Sequence, residues 1–208
     1  DCSNLNNISI HYQYYAAELN AGSTYLDQNQ LYINPVNCMF YNIDSYELGY
    51  EVEFDIPNDY QIFSSLNQSS NNILTASNFE ELADSPILIS NNSQSESIIV
   101  NGINFTFCFQ GEVKVDWDRI FKDFKLFIQY QIQVFGSFPH KKFLFLFQIT
   151  PYSSYHGVEH HKSTVILLGP SYNIFNSFYT ELLGVSSHEL YHVWNVKNIR
   201  PKAMLPYN

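Results

Sequence analysis

The first 113 of the 208 residues contain no lysine and no arginine, although fourteen aspartates and glutamates fall among them. All ten basic residues lie from Lys114 onward, against six acids, and the whole chain carries a formal charge of −10. A phosphate backbone is held by clustered Lys and Arg, so nucleic acid is excluded as a partner. Cysteine is scarce too. Cys2, Cys38 and Cys108 are odd in number, far apart and without C-x-x-C spacing. They make no disulfide framework and no metal site, and at most one pair could bridge. No stretch approaches eighteen consecutive apolar residues, so no transmembrane segment is expected. Charged residues reach only 14%, but apolar ones make up 45% and aromatic ones 17%, which excludes a disordered chain and predicts a well-filled core. The abrupt change in charge puts a module boundary near Glu112 to Lys114.

Periodicity separates the two parts. From Leu48 to Ile56 apolar and polar residues alternate strictly, the pattern of a strand with one buried face, and Pro57 ends it. Ile98–Val100 and Ile103–Phe109 flank Asn101-Gly102, a pair that tolerates the positive φ angles of a tight hairpin. Shorter strands are expected at Ile8–Tyr15 and Gln30–Ile33, and polar loops at 67–72 and 91–97. After Glu112 the period lengthens. Asp116 is a candidate N-cap for a helix carrying Trp117, Ile120, Phe121, Phe124, Phe127 and Ile128 and ending at Gly136. Phe143–Ile149 and Thr164–Leu168 read as strands buried on both faces. A final helix is expected over about 174–196, broken at Gly184, with Pro201 and Pro206 barring its continuation.

The sharpest chemical signal is His188-Glu189-Leu190-Tyr191-His192. On a helix, residues four apart share a face, so both imidazoles reach one metal ion while Glu189 points at a water on it. Zinc held by two His and a carboxylate keeps a position open and acidifies its water; the Glu serves as general base. The competing possibility is a surface helix with two solvated histidines. Five of the seven histidines fall between His156 and His192, which favours a site.

The run Ser187 to Pro201, H-E-L-Y-H followed by W-N-V-K-N-I-R-P, resembles the glycyl aminopeptidase family of bacterial and archaeal metallopeptidases. Tyr155 to Ser163 is similar to that family's G-x-E-H-x-x-S block, and Ala83-Asp84-Ser85-Pro86-Ile87 to its D-S-P element. The similarity spans nearly the whole chain and is strongest over residues 151–207. It implies an α+β protein: a β-sandwich-like module over 1–111, then the first part of a thermolysin-like catalytic domain over 112–208. It further implies a zinc aminopeptidase acting on peptides, favouring small N-terminal residues such as Gly, with His188 and His192 as zinc ligands and Glu189 as base. In related aminopeptidases a Glu in the position of Glu159 holds the substrate's free amine, and Gly157 lets backbone approach closely. The alternative for Glu159 is a structural acid paired with Lys162 or His160. His160 and His161 otherwise read as surface or supporting residues, Lys197, Arg200 and Lys202 as cations at a helix C-terminus, and Asn195 as a candidate to orient a loop or ligand.

The third zinc ligand of such families is a Glu on a later helix. No Asp or Glu follows His192, so that ligand is expected beyond Asn208, together with a PDZ-type domain. The chain reads as a truncated piece, inactive alone, unless Glu181 or His160 completes the site. Two other functions stay open: an endopeptidase of the thermolysin type, and a non-catalytic β-rich binding module with a vestigial H-E-x-x-H.

Overall fold

Short amphipathic strands build the first half of the chain in a computed structural model that describes residues 7–202. Strands β1 (Tyr25–Leu26), β2 (Gln30–Ile33), β4 (Gln61–Ser64) and β7 (Ile87–Ser90) form an antiparallel sheet in the order β1-β2-β7-β4. A second antiparallel sheet, β3-β6-β5, comprises β3 (Tyr50–Glu53), β5 (Asn67–Ser70) and β6 (Ile73–Ala76). Ile33, Ile87 and Ile89 from the first meet Leu74 and Ala76 from the second, with Phe79 and Leu82 of the short helix α1 (Phe79–Ala83) closing the core between them. This is the sandwich-like module.

The second half forms one five-stranded sheet, ordered β11-β12-β10-β9-β8. It contains β8 (Ser93–Val100), β9 (Ile103–Gln110), β10 (Lys142–Ile149), β11 (Ser154–Glu159) and β12 (Ser163–Gly169). The three central strands β9, β10 and β12 run parallel, and an antiparallel hairpin partner lies at each edge. Parallel strands need both faces covered. Helices α2 (Trp117–Phe135) and α3 (Tyr179–Tyr191) cover one face, packing Ile120, Phe124, Leu182, Val185 and Leu190 on a run of phenylalanines. On the other face Cys108, Leu144, Leu146 and Val165 pack against Tyr32 and Leu88 of the first sheet. Register brings Phe107 opposite Phe145 and Phe109 opposite Phe147, with ring centroids 5.2 and 4.3 Å apart. Such pairs are each worth about 0.5–1.5 kcal/mol beyond area burial.

Several expectations meet the structure directly. Asn101 (φ 51°) and Gly102 (φ 78°) make the hairpin turn. The Asp116 carboxylate accepts from the Arg119 N–H at 3.2 Å, and Gly136, at φ 82°, ends α2 in the left-handed region. Others need correction. Ile8–Tyr15 forms no strand: its apolar residues are largely exposed and pair with no strand among the described residues. Segments 67–72 and 91–97 are not loops throughout, since β5 and the first half of β8 occupy them. Both are sheet edges, where polar side chains face water and the ladder needs only backbone. The last helix starts at Tyr179 and passes Gly184 unbroken, because that glycine lies on the exposed side with open space where a side chain would be. The charge break near 112–114 is not a break between sheets, because β9 pairs with β10 across it. Cys38 and Cys108 are free thiols; Cys2 and Pro206 lie outside the described residues. No helix among the described residues is long and apolar enough to cross a membrane.

Candidate active site

Helix α3 ends at the histidine pair. His188 sits in its last turn, exposed, and His192 caps it with helical backbone angles, half-buried. One turn of helix brings their Nε2 atoms to 3.1 Å. Two nitrogens bound at about 2.0–2.1 Å to a tetrahedral metal stand roughly 3.3 Å apart, so the pair fits zinc. The other face of His192 supports this. Its Nδ1 lies 3.0 Å from the Asn195 backbone oxygen, an acceptor only, which puts a proton on Nδ1 and leaves the Nε2 lone pair pointing at His188. A cation between the rings is further favoured by the negative end of the α3 dipole. The backbone oxygen of Asn195 thus orients the His192 ring.

Edge strand β11 faces this helix. Alternation puts Gly157 and Glu159 on one side of the strand, and Glu189 on α3 packs directly over Gly157. A β-carbon built on Gly157 would stand 2.7 Å from Glu189 Cδ and 2.9 Å from Cγ, with Oε1 closer still. Gly157 therefore makes room for the Glu189 carboxylate; in this structure its close approach is to Glu189. Ligand atoms of Glu159, Glu189 and His192 all lie within 4.8 Å of one another. The two partners considered for Glu159 are engaged elsewhere, Lys162 with Glu81 at 2.6 Å and His160 with Asp84 at 3.0 Å. Glu159 has no ion-pair partner among the described residues. Among the described residues that group holds neither His160 nor Glu181, nor His188, which joins it only through its contact with His192.

Burial pushes the Glu189 carboxyl up, His192 pulls it down and Glu159 raises it again, leaving it at about 7. A carboxyl raised in this way contributes stability below its usual value that is lost as pH rises through about 7. A cation at the histidines draws the proton off again. Zinc is therefore expected to raise the thermal midpoint of the full-length protein more at about pH 8 than at about pH 5.5, where the imidazoles are also protonated. Melting with zinc and with a chelator at both pH values checks this, and an equal shift at each would contradict it.

Comparison with known proteins bears on the same residues. The M61 peptidase N-terminal domain matches residues 1–91, and the M61 glycyl aminopeptidase domain matches residues 181–208, the segment that holds both histidines. Both matches are to M61 peptidase models, one at each end of the chain. No curated protein sequence matches it significantly. Among solved structures, an aminopeptidase N family protein from Idiomarina loihiensis is 28% identical with a TM-score of 0.83, over 93% of this chain and 35% of that one. An M1 zinc metallopeptidase from Deinococcus radiodurans shares the fold at 11% identity and a TM-score of 0.54, over 82% of this chain and 41% of the other. The chain thus spans about a third of the length of the Idiomarina protein. The N-terminal match stops at residue 91, where the chain leaves the four-stranded sheet and enters β8.

The motif blocks converge on one carboxylate that the sequence did not single out as a functional residue. Asp84, of the D-S-P element, accepts from Lys197 Nζ at 2.9 Å, from the His161 backbone N–H at 2.8 Å, and meets His160 Nδ1 at 3.0 Å. Lys197 is thus an internal ion-pair partner rather than a dipole cation, and His160 is buried. Val196, held at φ 114°, turns the chain after α3 so that Lys197 points back to Asp84. A β-branched residue rarely adopts that angle, so the turn is strained. Arg200 reaches Glu80 at 3.0 Å, and Trp194 donates to the Ser137 carbonyl at 2.8 Å while stacking on Phe135. The tail therefore fastens the end of α3 to both α1 and α2.

Proposed function

We propose that this chain carries the metal-binding, general-base and amine-binding side chains of a zinc aminopeptidase. The carrying observation is the grouping itself: the His188 and His192 nitrogens 3.1 Å apart, with the carboxylates of Glu159 and Glu189 beside His192. Zinc bound at those nitrogens supplies Lewis-acid polarisation of the scissile carbonyl and an acidified water. Glu189, buried and close to neutrality in affinity for its proton, takes a proton from the attacking water and returns it to the leaving amine. Glu159, half-buried on β11 and without an ion-pair partner among the described residues, accepts charge-assisted hydrogen bonds from the substrate's ammonium group. That pairing fixes the first peptide bond, and no later one, over the histidines.

The test uses the full-length protein that contains this chain, loaded with zinc. A peptide with a free amine should be cleaved at its first bond and its N-acetylated twin spared. Glu159→Gln should lower kcat/KM on the free-amine peptide by roughly ten- to a hundred-fold, the usual weight of one charged hydrogen bond. Equal cleavage of both peptides would favour an endopeptidase instead, and no hydrolysis of either would return the fold to a binding role.

A further inference from the structure

The resemblance implies a taste for glycine, but the space beside Glu159 is built for something larger. A cavity of about 710 Å³ opens between the N-terminal module and β11, with Glu159 and Val158 on one side and Met39, Tyr41, Tyr46 and Phe79 on the other. The aromatic wall is ordered: Tyr41 stacks on Phe79 at 4.4 Å between centroids, and Tyr46 meets the same ring edge-on at 5.9 Å. At the mouth, Val36 and Ile43 are 60% and 78% exposed, an unusual amount of free apolar surface to place around an acid. The other charges in the lining, Asp84, Lys197 and His160, are tied to one another, which leaves Glu159 as the one carboxylate there without a cationic partner among the described residues. An occupant complementary to these walls is a cation with an apolar or aromatic body.

We propose that this cavity is a specificity pocket for a bulky apolar or aromatic N-terminal side chain. In an N-terminal residue the ammonium, the carbonyl and the side chain all hang from one carbon. With the ammonium on Glu159 and the carbonyl toward His188 and His192, the side chain is within reach of the cavity that shares Glu159. A site restricted to glycine would need that space walled off. The small Ala83 leaves it open on the α1 side. The inference rests on Glu159 holding the amine.

The experiment measures binding of phenylalaninamide and glycinamide to the full-length zinc-loaded protein by calorimetry; neither probe needs turnover to be read. Phenylalaninamide should bind roughly ten- to a hundred-fold more tightly, the range expected for burying one large apolar side chain. Ala83→Leu, which narrows the cavity without touching Glu159, should reduce that preference and leave glycinamide unaffected. Glu159→Gln should weaken both amides alike. Equal affinity for the two amides, with Glu159→Gln still weakening both, would overturn the pocket and spare the amine anchor. If Glu159→Gln changes neither affinity, the anchor reading falls and takes the pocket with it. The comparison of the two amides in the unaltered protein stands even if Ala83→Leu fails to fold.

Discussion

Gly157→Ala is expected to lower kcat by about two to four orders of magnitude, the weight of a displaced general base, while the fold survives. The three atoms nearest to the added carbon all belong to the Glu189 side chain and lie inside van der Waals distance. Its neighbour is the end of a flexible side chain rather than backbone, so β11 need not move; Glu189 rotates away instead. Gly157 has ordinary strand angles, since the positive-φ glycines are Gly102, Gly111 and Gly136. Alanine suits such a strand better than glycine by roughly 0.5–1 kcal/mol, so stability should hold or rise slightly. Zinc content should also hold, because the histidines are untouched. The measurement is kcat on a free-amine peptide, with melting temperature and bound zinc recorded on the same sample. Normal turnover would show that Glu189 is not the base in this geometry. Loss of zinc or of the fold along with activity would make Gly157 a structural residue only.

That contact shows where a sequence reading stops. The spacing within H-E-x-x-H is local, and helical periodicity carries it directly to two facing imidazoles. The capped helix α2 and the Asn101-Gly102 turn are local in the same sense: each follows from the torsional preferences of a few consecutive residues. The approach of Gly157 to Glu189 joins residues thirty-two apart, and nothing in either segment's own pattern announces it. Strand β5 and the first half of β8 were hidden for another reason. An edge strand with wet faces can be made of Ser, Gln and Asn, so composition marks it as loop while the backbone pairs regardless. Helix α3 was expected too long because Gly184 and the aromatic residues before Tyr179 fit a helical period equally well on either side of the true start. The charge break near residue 113 records which surfaces are acidic, and surfaces do not report which strands pair.

The other large effect is expected at Asp84, again through partners the sequence keeps far apart. Burial alone pushes its carboxyl up, but the hydrogen bond to His160, the Lys197 ammonium and the charge of His160 together outweigh it and hold it below the usual range. Asp84 and Lys197 side chains are 14% and 11% exposed, so water can replace little of what is lost when one is removed. Asp84→Asn keeps the shape and deletes the charge, leaving a buried ammonium against an amide. Breaking one partner of a buried pair costs about 3–5 kcal/mol. At about 2–4 °C per kcal/mol for a chain of this size, the melting temperature should fall by roughly 6–20 °C. Adding Lys197→Met should recover part of that loss, because the stranded charge is then gone; a double-mutant coupling of roughly 0.5–3 kcal/mol is expected. The pH dependence carries the opposite sign to that at Glu189. A depressed carboxyl contributes stability that is present above its usual value of 3.8 and is lost as pH falls through the lower folded value. The gap between wild type and Asp84→Asn should therefore be full near neutrality and close in acid. A gap that persists unchanged into acid, or a double variant no better than the single one, would mean that Asp84 acts through packing and not through its charge.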